Sequence, residues 1–383
     1  MTALIAYLDG QDGPRTSPFQ IADRLGIPDF EVLLGWLPER RSWLEDDRLR
    51  GCTYMAGYRL VDVVATGRLR YLPIRLSAVP RWIQRRRPDV GVVTGVPRGK
   101  GFAFGSTVAW GPALAAAASR LVIEVDETGM DLGGPMIEGN VVARLDRPEP
   151  DDPILTPRPP DADDLAVGEH VASVIPSGAT IQVGPGGIAE AVVATTTSPV
   201  QVWAGLVTDA MAGMFARGVL DGAIRAAYAW GGEAIADLHA AGRLELLPLG
   251  RSHDLTALSA LPNYVACNTA LQIGLDGACN VEIIGGRAIA GIGGNADFAT
   301  AAVRSPGGLS IMALKSTTRS GRSTIVPRVE HVSTPRCDVD LVITEHGIAD
   351  LRDADDVERA RRIIAVAHPD HRDSLTNERG ETA

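Results

Sequence analysis

The stretch RPEPDDPILTPRPPDADD, Arg147 to Asp164, places six prolines in the middle of a 383-residue chain. Each proline fixes φ and removes a backbone donor, so neither a helix interior nor a central strand can pass through it. The length also exceeds what one hydrophobic core usually organises. The segment therefore reads as a connector, residues 151–164, between an N-terminal domain, 1–150, and a C-terminal domain, 165–383.

The same pattern recurs on both sides. Before the connector, Ile21–Leu34 reads as a helix, Arg70–Leu76 as a short strand, and Val79–Arg87 as a helix with its arginines on a solvated face. Asp89–Thr94 (DVGVVT) reads as a strand, Gly95–Gly105 as a glycine-rich loop, Thr107–Arg120 as an alanine-rich helix and Leu121–Val125 as the next strand. That order is the signature of a crossover in a parallel sheet. After the connector, helices are expected at Asp164–Ile175, from Ile188, at Asp209–Gly218 and at Val357–Ala365. Strands are expected at Thr180–Val183, Val200–Ala204, Ala223–Ala229, Leu244–Leu247, Val265–Ile273, Ser310–Leu314 and Asp340–Thr344. The fold class is α/β: two similar open domains with mainly parallel sheets and a ligand cleft at the carboxyl ends of their strands.

Composition narrows the function. A net charge of −10 lacks the basic footprint of a nucleic-acid binder. No run of about 20 apolar residues spans a membrane, and MTALIAYLDGQDG lacks a signal peptide's basic start. Cys52, Cys267, Cys279 and Cys337 lack metal or CxxC spacing, so reduced thiols, no metal and a cytoplasmic setting are expected. Lys100 and Lys315 are the only lysines.

Two glycine stretches point to chemistry. Gly285–Phe298, GGRAIAGIGGNADF, holds five glycines in fourteen residues. Gly291, Gly293 and Gly294 can expose consecutive N–H groups to an anionic oxygen; a tight turn is the alternative. Gly184–Gly187, GPGG, follows a strand and opens a helix.

The run from Asn268 to Phe298, continued by Ser316–Thr317, Arg336, Val342–Ala349 (VITEHGIA) and Ala367–Pro369, resembles the acetyl-CoA hydrolase/transferase family, which includes acetate, succinate and 4-hydroxybutyrate CoA-transferases. The resemblance covers nearly the whole chain. It implies two α/β domains enclosing an acyl-CoA, coenzyme A as substrate or ligand with no permanently bound cofactor, a small carboxylate as possible partner, and a homodimer or hetero-oligomer. It further implies that a glutamate attacks the thioester and forms a glutamyl-CoA intermediate. The N–H groups of Gly293, Gly294 and Asn295 would hold the oxyanion, Gly184, Gly186, Gly187 and Gly291 would lie beside CoA, and Lys315 would meet a CoA phosphate.

The chain departs from that pattern at its centre. The nucleophile position falls on Gly205, in VWAGLVTDA, and no Asp or Glu lies between Glu190 and Asp209. A second family glutamate falls on Gln272, which has the shape but not the basicity of a carboxylate. His253 stands where the family often has asparagine, and MDLGGP (Met130–Pro135) lacks the arginine of the corresponding family segment. Glu345, after the strand ending VIT, is a candidate base for activating water; His253 is a second acid–base candidate, and a thiolate at Cys267 or Cys279 a remote nucleophile. Three functions follow: an acyl-CoA enzyme without the covalent glutamyl step, a catalytically silent CoA-binding homologue or partner subunit, or an ordinary transferase with a relocated nucleophile.

Overall fold

A computed structural model describes residues 2–382, with side chains to Glu378. The strands form two large sheets, one on either side of the proline-rich segment. The first runs in the order Leu69–Tyr71, Gly51–Thr53, Phe30–Leu34, Ala3–Tyr7, Val90–Arg98, Arg120–Val125, Val141–Asp146, with all neighbours parallel; Gly101–Ala103 adds an antiparallel strand to Val90–Arg98. The second runs Leu244–Leu246, Leu220–Ala226, Val200–Trp203, Thr180–Val183, Tyr264–Thr269, Leu309–Ala313, Leu341–Thr344, Gly347–Asp350, with only the last pair antiparallel. Parallel strands covered on both faces read as continuous apolar runs. Leu121, Val122 and Ile123, and Leu341, Val342 and Ile343, are such runs, all buried.

Local chemistry set several boundaries differently from the sequence expectation. The helix expected at 21–34 is Pro18–Arg24, opened by a capping box between Ser17 and Gln20. Gly26 and Pro28 break it, and FEVLL becomes a strand, Phe30–Leu34. The glycine-rich loop at 95–105 is mostly a hairpin, turning at Gly99 with φ +60°. Pro73 ends the strand after Tyr71, and the alanine-rich helix contracts to Gly111–Ala117 because Thr107 bridges to Tyr228. The expected strand 265–273 splits into Tyr264–Thr269 and Gln272–Gly274, the second joining a separate small sheet. The expected strand 223–229 divides between Leu220–Ala226 and Tyr228–Trp230, the latter pairing with Leu206–Thr208. Ala3–Tyr7, Gly51–Thr53 and Val141–Asp146 are strands that the sequence pattern did not single out.

The proline-rich segment carries no helix or strand before Asp161, which caps the helix Ala162–Val174. It is tied to both halves: Leu155 N–H donates to the Pro38 carbonyl (3.0 Å), and Trp230 Nε1 donates to the Leu155 carbonyl (2.7 Å). All four cysteines are free thiols. Among the described residues, no helix is long and apolar enough to cross a membrane, and no group of three or more His, Cys, Asp or Glu is placed to hold a metal ion.

Candidate functional site

In each sheet the strand order reverses once, between Ala3–Tyr7 and Val90–Arg98 in the first and between Thr180–Val183 and Tyr264–Thr269 in the second. Ligands of open α/β sheets bind outside the carboxyl ends of the strands at such points. Here the two points border one cavity of about 290 Å³. Asp9 enters it from beyond the end of Ala3–Tyr7, while Val183, Gly184, Pro185, Asn268 and Thr269 enter from the second sheet. Ala290–Asn295 form another wall, and Gly205 and His253 also line it.

The wall formed by the GIGG loop is built by close approach. Leu76 N–H donates to the Gly293 carbonyl (2.9 Å) and Ala56 N–H to the Ala290 carbonyl (3.3 Å), so the first half of the chain holds the loop from outside. Gly293 has φ +59°, a conformation other residues adopt only at a cost. Gly294, at φ −89°, caps the helix Asn295–Arg304 and is glycine for a different reason: a Cβ there would lie 2.6 Å from His253 Nε2. Among the described residues, neither Gly293 N–H nor Gly294 N–H donates to another group. Two free donors at a helix N-terminus, against a cavity, are able to hold negative charge on an oxygen placed there.

His253 sits beneath this loop. Its ring packs at 40° against Phe298, centroids 4.6 Å apart, and Nδ1 bonds Ser252 Oγ at 2.9 Å. Asp254 does not orient it; that carboxylate caps the next helix by accepting from Thr256 and Ala257 N–H. Burial lowers the imidazole pKa to about 3, so the ring is neutral at pH 7. Nε2 lies 3.3 Å from where a Cβ on Gly205 would stand. The imidazole thus fills space that a side chain at 205 would need.

His253 Nε2, Gln182 Oε1, Asn268 Nδ2 and Trp36 Nε1 are all buried and have no partner among the described residues. Each belongs to a cavity-lining residue. Leaving a buried polar group unpaired costs about 1–3 kcal/mol, and native chains leave few. Four at one cavity mark a surface shaped for a polar ligand.

Sequence reasoning did not single out Asp9, which among the described residues is the only carboxylate lining the cavity; among them no lysine or arginine lines it. Asp9 is 1% exposed and accepts from Tyr54 OH (2.6 Å), Trp36 N–H (3.0 Å), Trp110 Nε1 (2.9 Å) and Tyr228 OH (3.4 Å). Burial raises its pKa, against the lowering effect of those donors. Its one sequence cue is an Asp-Gly pair directly after an apolar run. Gln182 and Asn268 were likewise missed, though each is a polar residue in an otherwise apolar strand.

The other predicted residues lie around the cavity rather than in it. Gly186 and Gly187 form the turn and first residue of the helix Gly187–Thr195, behind Gly184. A Cβ on Gly187 would lie 2.5 Å from both Arg158 Nη2 and Asp164 Oδ2. Lys315 binds Asp161 at 2.6 Å and Asp164 at 3.3 Å in the same cluster. Glu345 accepts from Ser316 N–H at 2.9 Å and from Ser316 Oγ, and is not a cavity-lining residue. Gln272 accepts from Asn280 Nδ2 (3.2 Å) in the small sheet. Asp209 accepts from Gly232 N–H and faces a separate hollow. Burial pushes the Cys267 thiol up to about 12 and raises that of Cys279, which keeps both protonated.

The architecture is that of the CoA-transferase fold. RipA from Yersinia pestis superposes with a TM-score of 0.84 at 22% identity, over all of this chain and 94% of that one. A 4-hydroxybutyrate CoA-transferase from Porphyromonas gingivalis superposes with a TM-score of 0.75 at 23% identity, with the same coverage. In sequence, residues 233–379 match the acetyl-CoA hydrolase/transferase C-terminal domain. A 4-hydroxybutyrate coenzyme A transferase of Clostridium kluyveri is 30% identical over 83% of this chain and 79% of its own length. An acetyl-CoA hydrolase of Eremothecium gossypii is 26% identical over 96% and 84%. The chain belongs to the acetyl-CoA hydrolase/transferase family, which assigns it to a transferase or hydrolase class of enzyme.

Proposed function

We propose that the chain acts on an acyl-CoA thioester bound in this cavity, with Gly293 and Gly294 N–H on the carbonyl oxygen and without a covalent glutamyl intermediate. The two sheets are then two domains that share the site. The observation carrying the reading is the pair of free N–H groups at the start of Asn295–Arg304, beside the unpartnered Nε2 of His253. Attack on the thioester carbon places negative charge on its oxygen, where such donors contribute about 3–4 kcal/mol each.

Water is the nucleophile that fits. Among the described residues, the sole lining carboxylate, Asp9, is held by four donors, and no lysine or arginine lines the cavity to receive a carboxylate acceptor. His253 Nε2 takes the proton as water adds to the carbonyl carbon. It returns that proton to sulfur as the C–S bond breaks, giving an acid and CoA. An imidazole of lowered basicity serves here because the forming oxyanion lies beside it and favours the imidazolium. Lys315 and Arg158, beside the Gly184–Gly187 turn, are paired with Asp161 and Asp164. The low basicity of His253 also supports a second reading, a chain that binds acyl-CoA without turning it over.

Incubation with acetyl-CoA, with and without added acetate, followed by borohydride reduction and peptide mass analysis separates these readings. Hydrolysis is expected to release CoA without an adduct and without dependence on acetate. A modified Asp or Glu peptide would instead establish a relocated nucleophile. CoA binding with no release would establish the silent homologue.

A further inference from the structure

Between residues 75 and 87 the chain carries Arg75, Arg81, Arg85, Arg86 and Arg87, all exposed, and no acidic residue. In a chain of net charge −10 this is a local reversal of sign. Arg75 approaches Asp297 at 3.9 Å and Arg86 lies over the Trp82 ring. Among the described residues, Arg81, Arg85 and Arg87 form no ion pair. An exposed cation usually stays solvated, so its place in the fold must decide whether it binds anything.

That place is the rim of the cavity. Leu76 lines the cavity and its N–H holds the Gly293 carbonyl. Ser77 donates to Asp297, in the first turn of the helix that the GIGG loop opens (Oγ to Oδ1, 2.7 Å). Val79–Arg86 then runs from that rim back toward the start of Val90–Arg98. Arg81 and Arg85, one helical turn apart, share a face and border a surface hollow of about 550 Å³ together with Ala78 and Gln84. From Val79 to Arg85 the helix rises about 9 Å, so the arginines lead outward from the rim in steps.

We propose that Arg81 and Arg85, with Arg75 at the rim, hold the phosphates of a nucleotide-bearing ligand whose reactive end occupies the cavity. The inference rests on the thioester reading and adds the seat of the ligand's anionic tail. Guanidinium groups suit phosphate oxygens because their donors are forked and their charge is fixed. The unpartnered polar atoms of Gln182, Asn268 and Trp36 suit the amide groups of the uncharged arm between phosphates and thioester.

The test compares Arg81→Ala/Arg85→Ala with the unaltered chain in CoA binding by calorimetry and in cleavage of two thioesters, acetyl-CoA and S-acetyl-N-acetylcysteamine, which lacks the nucleotide. CoA affinity is expected to fall on the order of tenfold per arginine, with a shallower dependence on salt. The ratio of kcat/KM for acetyl-CoA to that for the truncated thioester should fall by a similar factor. Unchanged CoA affinity in the variant, or equal losses on both thioesters, overturns the proposal. Failure of the unaltered chain to bind CoA overturns the thioester reading itself. Arg81→Glu/Arg85→Glu provides a second measure, since repulsion should weaken CoA binding further; equal binding by the Ala and Glu variants also overturns it.

Discussion

Gly294→Ala tests the site where backbone and chemistry meet. The new Cβ would lie 2.6 Å from His253 Nε2, 2.7 Å from Phe298 Cε2 and 2.9 Å from His253 Cδ2. Ordinary carbon contacts need about 3.5 Å or more, so the loop or the rings must move by about 1 Å. The rings cannot yield freely: Phe298 is 2% exposed, and His253 is fixed by Ser252 and by Phe298 itself. Overpacking of this kind costs about 1–3 kcal/mol. Moving the oxyanion donors by that distance should lower the rate of CoA release about a hundredfold. Thermal melts and thioester cleavage measure the two effects, and His253→Ala separates them. In Gly294→Ala/His253→Ala the methyl gains room, so most of the stability lost to overpacking should return while cleavage stays low. A Gly294→Ala variant with the melting temperature and rate of the parent refutes the packing argument. A double variant in which both losses simply add refutes the assignment of the clash to His253.

Two further predictions concern the same ring. Glutamate at 205 requires space now held by the imidazole, so Gly205→Glu/His253→Asn should form a borohydride-sensitive acyl or CoA adduct more readily than Gly205→Glu alone; equal adduct in both would show that the ring does not obstruct position 205. Because burial lowers the His253 pKa to about 3 from the ordinary value near 6.5, the unfolded chain binds the extra proton as pH falls through that window and folding weakens. His253→Gln should flatten that loss by about 3 kcal/mol between pH 6.5 and pH 4 in denaturant midpoints, and parallel curves would show that the ring titrates freely in the folded chain.

What the sequence disclosed depended on how local the determining physics is. Thr180–Val183 was legible to the residue because Gly178 and Gly184 bracket a short apolar run. The glycine loops were legible because glycine marks close backbone approach wherever the other partner comes from. Ala3–Tyr7 was not, although it stands at the switch point of the first sheet, because five residues at a chain terminus carry no flanking turn signals of their own. Phe30–Leu34 was absorbed into a helix because its apolar positions continue the period of Pro18–Arg24, and only the break at Gly26 and Pro28 separates them. Glu345 illustrates the limit most directly: a carboxylate at a strand end can face either way, and here Ser316 claims it. Asp9, by contrast, is held at the site by Trp36, Tyr54, Trp110 and Tyr228, residues 27 to 219 positions away in sequence.

Positions 205 and 253, where the family resemblance leads one to expect a glutamate and an asparagine, are neighbours in space, which a string of letters does not show. Gly205 and His253 lie 48 positions apart, yet the imidazole takes up room that a side chain at 205 would need. A Cβ at 205 would stand 3.3 Å from Nε2, so the ring would have to give by a few tenths of an ångström. Gly205→Glu/His253→Asn therefore tests whether the two positions act as a unit; adduct formation equal to that of Gly205→Glu alone would show that they are independent.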